Sequence, residues 1–229
     1  MKNFTLKLLF LNFLFVGLTV NAQEKSAELT RNCGTDEYNA QLLQSSPRMM
    51  GSDYYENLIA PKVEAIKAQL ANSGSERALQ FTIPVVVHVI HNGDAYGVNE
   101  NITDEQVQSQ ITVMTQDYRR MTGTPGFNTN TVGADTQVEF VLAKVDPNGN
   151  PTNGINRVNL CQASWSTTAI NSTVKPTTIW DPTQYMNMWS VNFTDSTLLG
   201  YAQFPESNLG GMATTAQNPT TDGVVANYT

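Results

Sequence analysis

A chain of 229 residues with a formal net charge of −7 has room for one substantial domain and additional segments. The negative charge argues against a nucleic-acid-binding surface, because phosphate binding needs a basic stripe. Only 14% of the residues are charged, while Asn, Thr, Gln and Ser are plentiful, which is typical of a secreted protein rich in strands and loops. The two cysteines, Cys33 and Cys161, exclude a disulfide framework and allow at most one bridge.

The first 22 residues have the pattern of a secretory signal peptide. Lys2 and Lys7 supply positive charge beside the apolar run Leu8–Val20, which is too short to span a bilayer comfortably. Small residues end this segment, so cleavage is predicted before Gln23, and an uncleaved anchor is the alternative. With cleavage, we expect an extracellular or periplasmic protein that is not attached to the membrane.

Residues 23–80 differ from the remainder in composition and hydrophobic pattern and are predicted to be a separate segment. A short polar helix is predicted around Asp36–Gln44, and Ser52–Ala71 carries apolar residues at nearly helical spacing, interrupted by Pro61. The polar linker Asn72–Arg77 follows, and Arg77 lies in a context open to proteolysis.

The stretch Phe81–Asn92, FTIPVVVHVIHN, is predicted to be the central strand, because β-branched side chains suit a pleated backbone. Alternate residues point to opposite faces, and both sets are largely apolar, so both faces of the sheet are expected to be covered. His88 and His91 are three apart and therefore point to opposite faces, which argues against a joint metal site. We interpret His88 as a core histidine with a hydrogen-bond partner.

The remaining elements indicate an α+β domain. Thr103 and Gln106 form a capping-box pattern at the start of a helix whose last turn is closed by Arg119 and Arg120. Strands are then predicted at Val138–Val145, Gly154–Leu160, Met186–Phe193, Leu198–Phe204 and from Asp222 to Ala226. A strand, a helix and several further strands favour a mixed sheet.

Two short patterns carry residues that can bind metal. Asp146-x-Asn148-x-Asn150 resembles the opening of a calcium loop, but Pro151 stands where that loop needs glycine, so a plain turn is predicted. Cys33 follows Arg31, and a nearby cation favours the thiolate that binds zinc. A Cys33–Cys161 disulfide in an oxidising compartment is an equal alternative.

Several motifs follow one another between Phe81 and the end of the chain: IPVVVHVIHN, NITDEQVQSQITVMTQDYRR, VEFVLAKVDPNGNPTNGINRV, WDPTQYMNMWSVNF, LLGYAQFP and DGVV. Their order resembles the pappalysin family of zinc metalloendopeptidases, which belongs to the metzincins. Arg31-x-Cys33-Gly34-Thr35, in the preceding segment, looks like the latency cysteine of that family.

The resemblance implies a metzincin-like upper catalytic subdomain, with a twisted mixed β-sheet and a backing helix at Thr103–Arg120. It divides the chain into a signal peptide (1–22), a pro-segment (23–80) and the amino-terminal part of a catalytic domain (81–229). Leu198–Phe204 would be the edge strand that pairs with extended protein or peptide substrates. The implied substrate-binding residues are Leu199, Gly200, Tyr201, Ala202 and Gln203, and Cys33 would hold the zinc in the zymogen.

The family's zinc-binding helix, His-Glu-x-x-His-x-x-Gly-x-x-His, is expected after the DGVV strand and is not among these residues. The chain is therefore expected to be a fragment that is inactive alone, whereas the complete enzyme would hydrolyse peptide bonds with a zinc-activated water. The alternatives are an inactive protease homologue and a secreted, non-catalytic, β-rich module that binds through the polar loop Gly123–Thr136. The oligomeric state is not predicted.

Overall fold

The computed structural model describes residues 31–45, 52–73, 80–203 and 219–229. The predicted signal peptide and most of the predicted linker lie outside these residues. The elements, in chain order, are β1 (Asn32–Cys33), α1 (Thr35–Ser45), α2 (Ser52–Ser73), β2 (Phe81–His91), α3 (Asp104–Tyr118), β3 (Val138–Leu142), β4 (Ile155–Asn159), α4 (Thr167–Ala169), a π-helical turn (Ile170–Val174), α5 (Lys175–Thr178), β5 (Met186–Val191), β6 (Leu198–Ala202) and β7 (Val224–Asn227). Among the described residues, no helix is both long and apolar enough to cross a membrane.

The strands form a mixed sheet around β2, as the sequence predicts. The order is β1-β6-β7-β5-β2-β3, and β4 pairs with the second half of β2, beyond the end of β3. Neighbouring strands from β3 to β7 run parallel, whereas β6 is antiparallel to β7. The predicted α+β class is confirmed.

Both faces of β2 are buried, and they pack against different helices. Val85, Val87 and Val89 lie in one apolar cluster with Val107 and Ile111 of α3. On the opposite face, a second cluster joins the sheet to the helical segment from α4 to α5. The buried residues of that second cluster include Ile90, Trp165, Ile170, Val174, Trp189, Val191, Phe193 and Val225. The sequence does not reveal this covering segment, because it presents few apolar side chains in a run of Ser, Thr and Asn.

Helix α3 begins as predicted and ends one residue before the predicted arginines. Thr103 is the N-cap, and both hydrogen bonds of its capping box with Gln106 are present. The prediction that the arginines close the last turn is wrong, because Arg119 is the C-cap and pairs through its side chain with Asp135 and Glu139. The arginine that follows it has a positive φ of 46° and donates to carbonyl groups of the following loop. These cations therefore fasten the polar loop to the helix.

Other elements end earlier than the sequence predicts. Strand β3 stops at Leu142, because the chain turns and Val145 pairs with Pro151 across the Asp146 turn. The Asp146 carboxylate accepts hydrogen bonds from the backbone N–H groups of Asn148 and Asn150, at 2.9 and 2.8 Å. The predicted turn is thereby confirmed.

Candidate functional site

The residues that precede α1 pair with the outer edge of β6. Asn32 and Cys33 run parallel to β6, with Cys33 opposite Gly200. The backbone N–H of Gly34 donates to the Gly200 carbonyl at 2.8 Å. The structure thus brings the candidate latency cysteine directly against the predicted substrate-binding residues.

The predicted substrate-binding residues differ in what they expose. Leu199 is 44% exposed, whereas Tyr201 and Gln203 are buried in the interior. A Cβ built on Gly200 would lie 2.5 Å from the carbonyl oxygen of Val225, so only glycine allows β6 and β7 to approach this closely. Strand β6 therefore offers mainly backbone groups at its outer edge, which suits pairing with an extended chain.

Further contacts of the first segment hold it against this edge. The backbone N–H of Ala202 donates to the Thr35 hydroxyl at 3.2 Å, and that of Asn32 donates to the Thr197 carbonyl at 2.8 Å. The Arg31 guanidinium donates to the carbonyl and hydroxyl oxygens of Thr229, at 2.6 and 3.1 Å. The edge of β6 is consequently occupied along most of its length.

Cys33 is exposed and is not part of a disulfide. Its thiol donates to the Thr35 hydroxyl at 3.2 Å, and Cys161 is likewise exposed and free. The alternative of a Cys33–Cys161 bridge is therefore wrong for this structure. Cys33 lies in the wall of a cleft of about 290 Å³, which Glu37 and Asp195 also line.

The histidines of the chain do not fit a catalytic zinc site. His88 is fully buried, and its Nε2 and Nδ1 atoms each lie 2.9 Å from a side-chain amide, of Asn187 and Asn156 respectively. Burial lowers the pKa of His88 to about 4, against a smaller opposing effect of the Asn187 hydrogen bond. The interpretation of His88 as a hydrogen-bonded core histidine is confirmed.

His91 is also engaged, since its Nδ1 accepts a hydrogen bond from the backbone N–H of Gly93 at 3.1 Å. Across the described ranges, no group of three or more His, Cys, Asp or Glu side chains could hold a metal ion. The residues that the structure describes therefore do not supply a catalytic zinc site, and Cys33 is left as a single candidate ligand.

A buried cation near the edge strand is a feature that the sequence analysis missed. Lys175 is fully buried, and its Nζ donates to the Thr221 carbonyl at 3.0 Å. The same atom lies 4.8, 5.3 and 5.7 Å from the ring centroids of Tyr201, Trp189 and Tyr38. Burial lowers the pKa of Lys175 to about 7, and the charge of Asp222 partly opposes this shift. No local pattern signals such a lysine, because its partners come from four separate segments.

Comparisons with solved structures identify the class of protein with this architecture. The chain is similar to Tannerella forsythia mature mirolysin in complex with a cleaved peptide, at 37% identity and a TM-score of 0.54, over 66% of this chain and 53% of that one. Mirolysin in complex with compound 9 gives 35% identity and a TM-score of 0.50, over 65% and 53% of the two chains. A mutant of T. forsythia promirolysin gives 32% identity and a TM-score of 0.58, over 86% and 60%.

These neighbours define a metalloprotease fold of the metzincin type. Mirolysin and promirolysin are pappalysin-family metzincins, so the family resemblance predicted from the sequence is confirmed. The chain spans between half and three fifths of the length of these solved relatives. No family model matches the chain, and a search of curated proteins finds no match.

Proposed function

We propose that this chain is the amino-terminal part of a secreted, zinc-dependent metalloendopeptidase precursor that acts on proteins or peptides. In this proposal residues 1–22 are a signal peptide, residues 23–80 are a pro-segment, and the residues from Phe81 onward belong to the catalytic domain. The observation that carries the proposal is the pairing of Asn32–Cys33 with the outer edge of β6.

The edge pairing explains how a pro-segment would block substrate. A strand edge binds an extended peptide through main-chain hydrogen bonds, so a segment that already uses those groups competes with substrate. The carbonyl of Gly200 and the N–H of Ala202 are both engaged by residues of the first segment. We propose that, once this segment leaves, the stretch from Leu199 to Gln203 binds the substrate backbone.

The two kinds of neighbour support the proposed division of the chain. Mature mirolysin matches 66% of this chain, which is about 150 of the 229 residues and close to the length from Phe81 to the end. Promirolysin matches 86% of this chain, which is more than the length from Phe81 to the end. The promirolysin match is therefore long enough to include much of the described region before Phe81. A pro-segment at residues 23–80 is consistent with that difference.

Cys33 is the group that we propose as a zinc ligand of the latent form. It is exposed, it lies opposite Gly200 at the edge strand, and its thiol has only a hydroxyl partner among the described contacts. Thiolate sulfur is a strong zinc ligand, so a cysteine placed at this edge could reach a metal bound nearby. The remaining ligands would come from outside the described residues.

The test is to express the protein from its gene together with the codons that follow Thr229, and to compare the parent with Cys33→Ala. We expect zinc-dependent cleavage of casein by the parent only after the linker Asn72–Arg77 has been cut. The Cys33→Ala variant should show measurable cleavage, or process itself, without prior cutting, because the thiolate no longer competes for the metal. Its activity should stay below that of the cut parent, because the paired segment still occupies the edge of β6.

Cys161→Ala is the matched control and should remain as latent as the parent, because Cys161 lies outside the paired segment. A Cys33→Ala protein that stays latent would remove the role proposed for Cys33. Absence of any zinc-dependent cleavage, in every variant and after linker cutting, would instead refute the proposed protease.

A further inference from the structure

Tyr38 makes the deepest contact of the described first segment with the sheet. It lies one turn into α1, and its backbone N–H donates to the Gly34 carbonyl at 3.0 Å. Only 9% of Tyr38 is exposed, and its ring packs on Tyr201 with the centroids 4.6 Å apart. The Tyr38 hydroxyl lies 3.4 Å from the side-chain amide of Gln203. This one side chain therefore contacts β6 through its ring and the residue that follows β6 through its hydroxyl.

The pocket that receives Tyr38 has a specific chemistry. Tyr201 and Trp189 supply aromatic surface, and the Lys175 ammonium lies within 6 Å of both rings and of the Tyr38 ring. A cation beside a ring face attracts the negative part of the ring's quadrupole. The amide of Gln203 adds a polar partner for a hydroxyl at the far end of the ring. Together these groups suit a tyrosyl side chain better than an aliphatic one.

The other described side chains of the first segment are less buried than Tyr38, although Leu42 packs against the same apolar cluster. Its strand is two residues long, and Cys33 is exposed. On α2, Val63 and Ile66 are 40% and 55% exposed. Binding energy at an interface is usually concentrated in a few well-buried aromatic residues, and Tyr38 is the residue that meets this description.

We infer that the pocket formed by Tyr201, Trp189, Lys175 and Gln203 is a docking site for a tyrosyl side chain, and that Tyr38 anchors the pro-segment there independently of Cys33. This inference rests on the proposed division into pro-segment and catalytic domain. It also implies that Tyr38 covers Lys175, so departure of the pro-segment opens the lysine to solvent.

The experiment uses the full chain with a site for a sequence-specific protease inserted between Ser73 and Gln80. After cutting, surface-immobilised protein is washed, and the loss of the pro-segment is followed by mass spectrometry. We expect the parent to retain the segment and Tyr38→Ala to lose it at least tenfold faster. Tyr38→Phe keeps the ring contacts and should lose it only about twofold to fivefold faster, as expected for one long neutral hydrogen bond of 3.4 Å. Cys33→Ala should behave as the parent.

A second measurement distinguishes anchoring from general loosening of the fold. Acetic anhydride labels exposed lysine amines, and exposed Lys144 serves as the internal reference. Labelling of Lys175 should be slow in the intact chain and should rise at least tenfold when the segment is released, while labelling of Lys144 stays constant. A single cooperative thermal transition of the cut Tyr38→Ala chain is the folding control.

Equal retention by Tyr38→Ala and the parent would overturn the inference, as would faster release by Cys33→Ala than by Tyr38→Ala. Unchanged Lys175 labelling after release would overturn the statement that Tyr38 covers the lysine. None of these measurements needs catalysis, so they stand whether or not the complete protein proves to be a protease.

Discussion

At the scale of single residues, the buried imidazole of His88 is the group whose protonation affects the interior most directly. His88 stacks on Trp189, with ring centroids 5.1 Å apart, and its hydrogen bonds join β2 to residues of β4 and β5. A neutral imidazole fits this arrangement, because one ring nitrogen donates to the Asn187 oxygen and the other accepts from the Asn156 amide. Protonation would leave the imidazolium facing the donor amide of Asn156, in a site from which water is excluded.

We therefore expect stability to fall on mild acidification because of His88. Its pKa is about 4 in the folded chain and about 6.5 when unfolded, so the unfolded chain takes up a proton that the folded chain refuses. The stability due to neutral His88 is complete above pH 6.5 and is lost as the pH falls toward 4. Between pH 7 and pH 5 the free energy of unfolding should drop by about 2 kcal/mol, measured by urea denaturation.

His88→Gln cannot titrate, so its unfolding free energy should lack this drop, whatever its absolute stability. His91→Gln is the matched control and should keep the pH dependence of the parent. A drop of the same size in His88→Gln would show that another group is responsible.

Sequence reasoning reached His88 but not Lys175, for a physical reason. The neighbours of His88 along the chain are β-branched and apolar, so its burial follows from the strand pattern. Lys175 lies in a polar stretch, and its burial depends on rings from α1, β5 and β6 that meet only in the folded sheet. A side chain whose environment is assembled from distant segments leaves no local pattern.

At the scale of elements, caps were predictable and short strands were not. The Thr103 capping box is a local pattern with a local cause, and both of its hydrogen bonds are present. By contrast, β1 is two residues long and has no periodicity of its own. It is a strand only because the edge of β6 offers unpaired backbone groups. The family resemblance pointed to Cys33, but the partner of Cys33 at Gly200 came from the structure.

A close approach between two backbone segments also restricts which residue can stand at a position. Gly223, just before β7, shows the shortest such approach among the described glycines. Its φ is +133°, and a Cβ there would lie 2.3 Å from the Asn187 carbonyl oxygen. Gly149 also has a positive φ, of +85°, but nothing lies within 4 Å of its built Cβ. A substitution at Gly149 therefore tests backbone strain alone, whereas one at Gly223 tests backbone strain together with a steric clash.

We predict that Gly149→Ala lowers the free energy of unfolding by about 1–2 kcal/mol, as expected for a left-handed alanine. Gly223→Ala should cost at least about 3 kcal/mol, because a backbone displacement adds to the strain. Urea denaturation of both variants at pH 7 measures the difference. Equal losses would contradict the argument that close approach to Asn187 governs Gly223.

At the scale of the whole molecule, the sequence was sufficient to predict the class of fold. It did not predict the order of the strands or the helical segment that covers the second face of the sheet. The prediction of an α+β mixed sheet needed only a strand with apolar residues on both faces, an amphipathic helix and the strands that follow. The order of strands was not available from pattern, because it depends on which edges meet after long connections. The cover over the second face also escaped prediction, since its helical turns are short and polar on most sides.

The edge strand shows how these scales combine. Gly200 allows β6 to lie close to β7 on one side. The other side of β6 receives β1 with Cys33. The same edge carries Tyr201, which meets Tyr38 from α1. One antiparallel strand is thus the common element of the candidate substrate site and of the contact with the proposed pro-segment.

The metal chemistry of the chain by itself can be predicted from the same whole-molecule view. The sequence has two histidines and two cysteines, and a catalytic zinc ion usually has three protein ligands. Both nitrogens of His88 are hydrogen-bonded inside the sheet, and His91 lies three residues further along the strand. We therefore expect the purified 229-residue chain to bind no zinc with catalytic geometry and to leave casein and gelatin uncut.

Equilibrium dialysis against zinc, followed by X-ray absorption spectroscopy of any retained metal, tests the first expectation, and gel assays test the second. Any weak binding should involve sulfur and should diminish in Cys33→Ala. Stoichiometric zinc with histidine ligands, or zinc-dependent proteolysis by the chain alone, would contradict the prediction and place an active site within these 229 residues.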